Sequence, residues 1–146
     1  MKIHTLALTA ALALSPIVVF AETAKDIAVN GLSAVFVDRD VAAIDTYFSP
    51  DYVQHNPLFP NGTDVLKGFA ANMPENFVYE IGNVIADEET GLVAIHFRVE
   101  GFGPAPMVGV DILRVENGLI VEHWDVLQEE VTDTVSGNPM WTPAIN

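Results

Sequence analysis

Cysteine is absent from the sequence, so no disulfide can staple the chain, and a core, alone or with a subunit interface, must hold it together. Basic residues are scarce. Six lysines and arginines stand against twenty aspartates and glutamates, a formal net charge of −14. That excess repels phosphate backbones and anionic headgroups and excludes nucleic acid as an expected partner. Internal repeats, low-complexity tracts and Gly/Ser linkers are missing too, and 146 residues suit a single domain.

What is present begins with a leader-like segment. Lys2 supplies a minimal positive start, Leu6 to Phe20 is apolar, and Val19-Phe20-Ala21 resembles a small-x-small cleavage site. The run is short for a membrane span and contains Pro16, which favours a signal peptide over residues 1–21. The expectation is an exported domain of residues 22–146, periplasmic or secreted, with no membrane association after cleavage. Loss of Lys2 takes its formal charge to −15. The Pro- and Asn-bearing stretch from Ser136 to Asn146 looks loosely attached.

The exported part changes period midway. Thr23 to Val37 carries Ile27, Leu32, Val35 and Phe36 on a helical face, weakened by Gly31. Asp40 caps a short second helix that presents Val41, Ile44 and Phe48 and ends before Pro50. Asn61-Gly62-Thr63 introduces a third, to Asn72. Four Val-, Ile- and Phe-rich runs follow at Phe77–Ala86, Leu92–Phe102, Met107–Val115 and Leu119–Gln128, which read as strands. The order predicts an α+β cone, three N-terminal helices on a curved antiparallel sheet, with a pocket where side chains do not fill it.

The last hairpin decides what faces that pocket. A two-residue Asn117-Gly118 loop pairs Val115 with Ile120 and sets Asp111 beside Trp124 and near Glu122. A three-residue Glu116-Asn117-Gly118 loop pairs Val115 with Leu119 and sets Asp111 opposite His123, with Asp125 on the same face. The second is preferred because it gathers three acid–base groups and leaves Arg114 and Glu122 outside. A one-residue slip reverses every assignment.

Three segments, YVQHNP at 52–57, VDILRVENGLIVEHWDVLQ at 110–128 and NPMW at 138–141, together resemble the SnoaL-like group of the nuclear-transport-factor-2-like superfamily. The match runs over nearly all of the exported part. The resemblance implies a conical α+β barrel, a homodimer formed through the sheet, and a deep apolar pocket. It also implies cofactor-free aldol-type cyclisation of a small, largely apolar carbonyl compound, with Asp125 best matching the family's catalytic aspartate.

The chemistry of the residues agrees with that role. Aldol chemistry needs a base beside a carbonyl and a donor for the enolate, and a histidine next to a carboxylate can share or pass the proton. Asp125 and His123 are the candidate pair, with Asp111 orienting His123 or acting as a second acid. The plain alternative is an Asp–His pair that merely ties strands together at a sheet rim. His55 is a further candidate at the pocket mouth, against a histidine that only bonds loop backbone. Tyr52, Asn56, Phe59 and Trp141 are candidate substrate-binding residues, with Met140-Trp141 resembling the family's Met-aromatic tail as a lid. His96, on the opposite parity to Ile95 and Phe97, belongs to an outer or interface face. No tight His-x-His or His-x3-His pair occurs, which argues against a metal, and the resemblance implies no other cofactor. Rival functions are a non-catalytic carrier for a hydrophobic molecule, and an isomerase or epoxide hydrolase in which Asp111 and Asp125 hold a water.

Overall fold

The computed structural model describes residues 21–144; the leader expected at residues 1–21 lies almost wholly outside them. Eight elements follow in order: α1 Ala24–Phe36, α2 Val41–Tyr47, β1 Phe48–Gln54, α3 Asp64–Asn72, β2 Val78–Asp87, β3 Leu92–Glu100, β4 Met107–Glu116 and β5 Leu119–Glu129. Among the described residues no helix is long and apolar enough to cross a membrane.

The helices start where local chemistry directs them. Thr23 and Asp26 form a reciprocal capping box on α1, and the Asp40 side chain accepts from the backbone N–H groups of Ala42 and Ala43 at the head of α2. Gly31, a weakness by propensity, is required by packing: a Cβ there would collide with Ile120 Cδ1. It lets α1 press against β5 and Phe48.

The sheet has the order β1-β5-β4-β3-β2. β2 to β5 form the antiparallel meander expected from the sequence, but β1 runs parallel to β5 at the edge, so the sheet is mixed. β1 also precedes α3, so the helices are not a contiguous N-terminal block. Alternation sets two faces. Val93, Ile95, Phe97 and Leu113 are buried on the helix side, and Ala94, His96 and Arg98 point away. Each fully buried aliphatic contributes about 1.5–3 kcal/mol relative to exposure.

Two bulges bend the antiparallel meander. In β2, Gly82 and Asn83 together oppose His96, because Ile81 pairs with Phe97 and Val84 with Ile95. In β5 the extra residue is Val121, because Val115 pairs with Ile120 and Arg114 with Glu122.

This settles the hairpin. Asn117 and Gly118 form a two-residue turn with φ of 52° and 81°, the left-handed pair of a type I′ turn, rather than the expected three-residue loop. Val121 then absorbs one residue and restores the expected parity. Asp111 stands opposite Asp125, not His123; His123 stands opposite Leu113; and Arg114 stands directly opposite Glu122.

Among the described residues the C-terminal tail does not line the pocket. Met140 Sδ accepts from the Val131 backbone N–H, and Trp141 seats its indole over Gly82, where a Cβ would come 2.7 Å from Nε1. Trp141 and Met140 therefore lie against part of the outer sheet face, which corrects both the lid and the assignment of Trp141 to ligand binding.

Candidate active site

Helices and sheet enclose a largely apolar cavity. Phe36, Tyr79 and Phe97 stack in series with ring centroids 4.9 Å apart along one wall. Phe59, Phe69 and Phe102 meet one another at 6.1–6.4 Å, and two of them come from loops. Against this lining the polar groups Gln54, Asp111, His123 and Asp125 stand out.

Asp111 is 3% exposed and His123 8%, a depth at which ionisable groups occur only with partners. Those partners are present. His123 Nε2 lies 2.9 Å from Asp111 Oδ1, and Tyr79 donates its hydroxyl to Asp111 Oδ2 at 2.5 Å. Burial, then the Asp111 charge, pushes the Tyr79 phenol well above its ordinary pKa, so it stays a donor. His123 Nδ1 lies 2.9 Å from Gln54 Oε1. Gln54 Nε2 donates to the Tyr52 hydroxyl at 3.1 Å, and burial likewise holds the Tyr52 phenol protonated far above its usual range.

Asp125 is held differently. It projects from β5 two residues beyond His123 and accepts from Asn56 Nδ2 at 2.6 Å on Oδ2. Asn56 is fixed in turn, because its Oδ1 accepts from the Leu58 backbone N–H at 2.8 Å. Of the residues expected to form the site, the structure brings together Asp111, His123, Asp125, Tyr52 and Asn56, with Phe59 in the cavity wall.

His55 does not join them. Parity along β1 sends Tyr52, Gln54 and Asn56 inward and Val53 and His55 outward. There His55 stacks on Trp124 at 4.8 Å, with its Nε2 2.9 Å from Glu122 Oε1. Arg114 bonds the other Glu122 oxygen at 3.0 Å and lies over the Trp124 ring. His55 is thus removed from the candidate catalytic group.

Gln54 and Tyr79 were missed by sequence reasoning. Gln54 has a usable signal, two residues from Tyr52, once Phe48–Gln54 is read as a strand; Pro50 hides that reading. Tyr79 carries no signal beyond its alternation in β2.

Asp111, His123 and Asp125 could each offer one ligand atom to a cation, all within 4.8 Å of one another. Both nitrogens of His123 and both oxygens of Asp111 are already engaged in hydrogen bonds with protein. The trio suits proton handling better than metal binding.

A helix-lined cone over a bent five-stranded sheet, with acid–base groups buried in an aromatic cavity, defines the nuclear-transport-factor-2-like class. The SnoaL-like domain family matches residues 29–123, and the chain belongs to it. No curated protein matches the chain. Among solved structures it is similar to an NTF2-like protein of unknown function from Cytophaga hutchinsonii, at 13% identity and TM-score 0.62 over 75% of this chain and 93% of that one. A candidate ketosteroid isomerase from Kribbella flavida matches at 20% and 0.61, over 73% and 78%. IdmH, a candidate polyketide cyclase from Streptomyces antibioticus, matches at 20% and 0.56, over 73% and 93%. Likeness at this identity shows the fold alone.

Proposed function

We propose that the domain binds a small, largely apolar carbonyl compound in the cone and carries out cofactor-free acid–base chemistry on it, of the aldol-cyclisation type. One observation carries the reading: Asp111, His123 and Asp125 converge in a cavity otherwise lined by aromatic rings. Asp125 is the base. Asn56 engages one of its oxygens, and the other is available to take a proton from the carbon next to the ligand carbonyl. Tyr52 stabilises the resulting enolate, since its oxygen accepts from Gln54 and its own hydrogen is left to donate. The proton taken by Asp125 returns to the alkoxide formed on ring closure, so nothing is gained or lost overall. Asp111, braced by Tyr79 and His123, stands opposite Asp125 across the ladder.

Asp125→Asn keeps the shape and the bond with Asn56 yet removes the base. Against a panel of carbonyl compounds the variant should lose turnover about 10²–10⁴-fold while binding is kept. Undiminished turnover in Asp125→Asn would remove Asp125 from the chemistry; a wild-type protein that binds such compounds without converting them would make it a carrier. Export rests on the leader sequence and is tested by N-terminal sequencing of the protein recovered outside the cytoplasm. A homodimer through the outer sheet face is supported by the exposure of Ile112, at 39%, and Val126, at 71%, on that face.

A further inference from the structure

The hydrogen bonds of Gln54 determine where protons lie elsewhere in the site. Its Oε1 is 2.9 Å from the backbone nitrogen of Asn56. A backbone N–H can only donate, so the amide orientation follows from chemistry: the atom facing it is the oxygen, and Nε2 points to Tyr52. An amide oxygen can only accept, so His123 Nδ1, 2.9 Å from the same atom, carries a hydrogen.

We infer that Gln54 is the positioning residue of this site, fixing His123 with a protonated Nδ1 and turning the Tyr52 hydroxyl hydrogen toward the cavity. Because Nδ1–H is committed to Gln54, the only exchangeable position on His123 is Nε2, which faces Asp111 Oδ1. A single proton occupies that line, on nitrogen or on oxygen. His123 therefore exchanges its proton with Asp111 and not with Asp125. The second half follows from the same amide. Nε2 donates into a lone pair of the Tyr52 oxygen, so the hydroxyl hydrogen must point elsewhere, and Tyr52 lines the cavity. This half rests on the function proposed above; the His123 half stands on geometry alone.

Two substitutions separate the halves. Gln54→Glu keeps an acceptor for Asn56 and His123 but cannot donate to Tyr52, whereas Gln54→Leu removes every bond. Long-range proton–nitrogen NMR on the 15N-labelled full chain reads the two ring nitrogens of His123, with its signals identified by their loss in His123→Asn. Wild type and Gln54→Glu should show a protonated Nδ1. Gln54→Leu should show a population with bare Nδ1 and hydrogen on Nε2. A bare Nδ1 in the wild type, which can be read even if Gln54→Leu fails to fold, overturns the assignment, as does a folded Gln54→Leu variant with unchanged His123 signals. None of these readings needs a substrate, so they stand or fall apart from catalysis. Where turnover is found, Gln54→Glu should lower kcat more than KM, because the Tyr52 hydrogen is drawn to the new carboxylate. A Gln54→Glu enzyme with unaltered kcat overturns the Tyr52 half.

Discussion

Tyr79 in β2 reaches past the intervening strand β3 to donate its hydroxyl to Asp111 in β4, at 2.5 Å. The bond lets a carboxyl group sit in the core: without it one oxygen of Asp111 loses its partner at 3% exposure. Tyr79→Phe preserves the stacking with Phe36 and Phe97 and should cost about 1–3 kcal/mol in urea denaturation, the range for a buried acceptor left unpaired. Equal stability of variant and wild type would show that Asp111 needs no such brace.

Tyr52 and Tyr79 also set an alkaline limit. Both phenols are raised above their ordinary value of 10 in the folded state, chiefly by burial. A raised folded pKa gives stability that is complete below the unfolded value and lost as pH climbs above it, so stability should decline from about pH 10 upward. Ultraviolet titration of tyrosinate should find two of the three tyrosines silent until the fold gives way. Ionisation of all three in a protein that keeps its circular dichroism would contradict this.

At the acid end the outer face responds. Glu122 is held below its ordinary value of 4.5, first by the bond from His55 and then by Arg114. A lowered carboxyl pKa gives stability that is present above the unfolded value and lost as pH falls through the folded one. The melting temperature of wild type should therefore drop more steeply below about pH 4.5 than that of Glu122→Gln. The pair is solvent-exposed and screened, so the difference will be small. Parallel acid limbs for the two proteins would exclude the contact as a source of stability.

Val126→Asp places a charge in the exposed apolar part of the outer sheet face. If two copies associate there, light scattering should show half the mass of wild type with cavity binding kept. An unchanged mass would exclude this face as the contact.

Helices and the four meander strands were legible because their periods, caps and turns act locally. β1 was not: Pro50 and its position just behind α2 masked seven residues of strand, and with them the parity that sends Gln54 inward and His55 outward. The site itself was half legible. Asp111, His123 and Asp125 were grouped correctly, yet through the wrong loop, because a bulge at an ordinary valine has no residue signature. Trp141 was misplaced because nothing in the sequence says which face of the sheet Gly82 leaves open to it.

The bulge at Val121 sets the alignment of β5. With the same turn and Val121 back on the ladder, Trp124 and Val126 would enter the cone in place of His123 and Asp125. That arrangement would bury more apolar surface. Against it stand the loss of His123 as a partner for Asp111, and the entry of Glu122 into the cavity away from Arg114 and His55. The polar groups of the cavity thus also serve as selectors between two threadings of one strand.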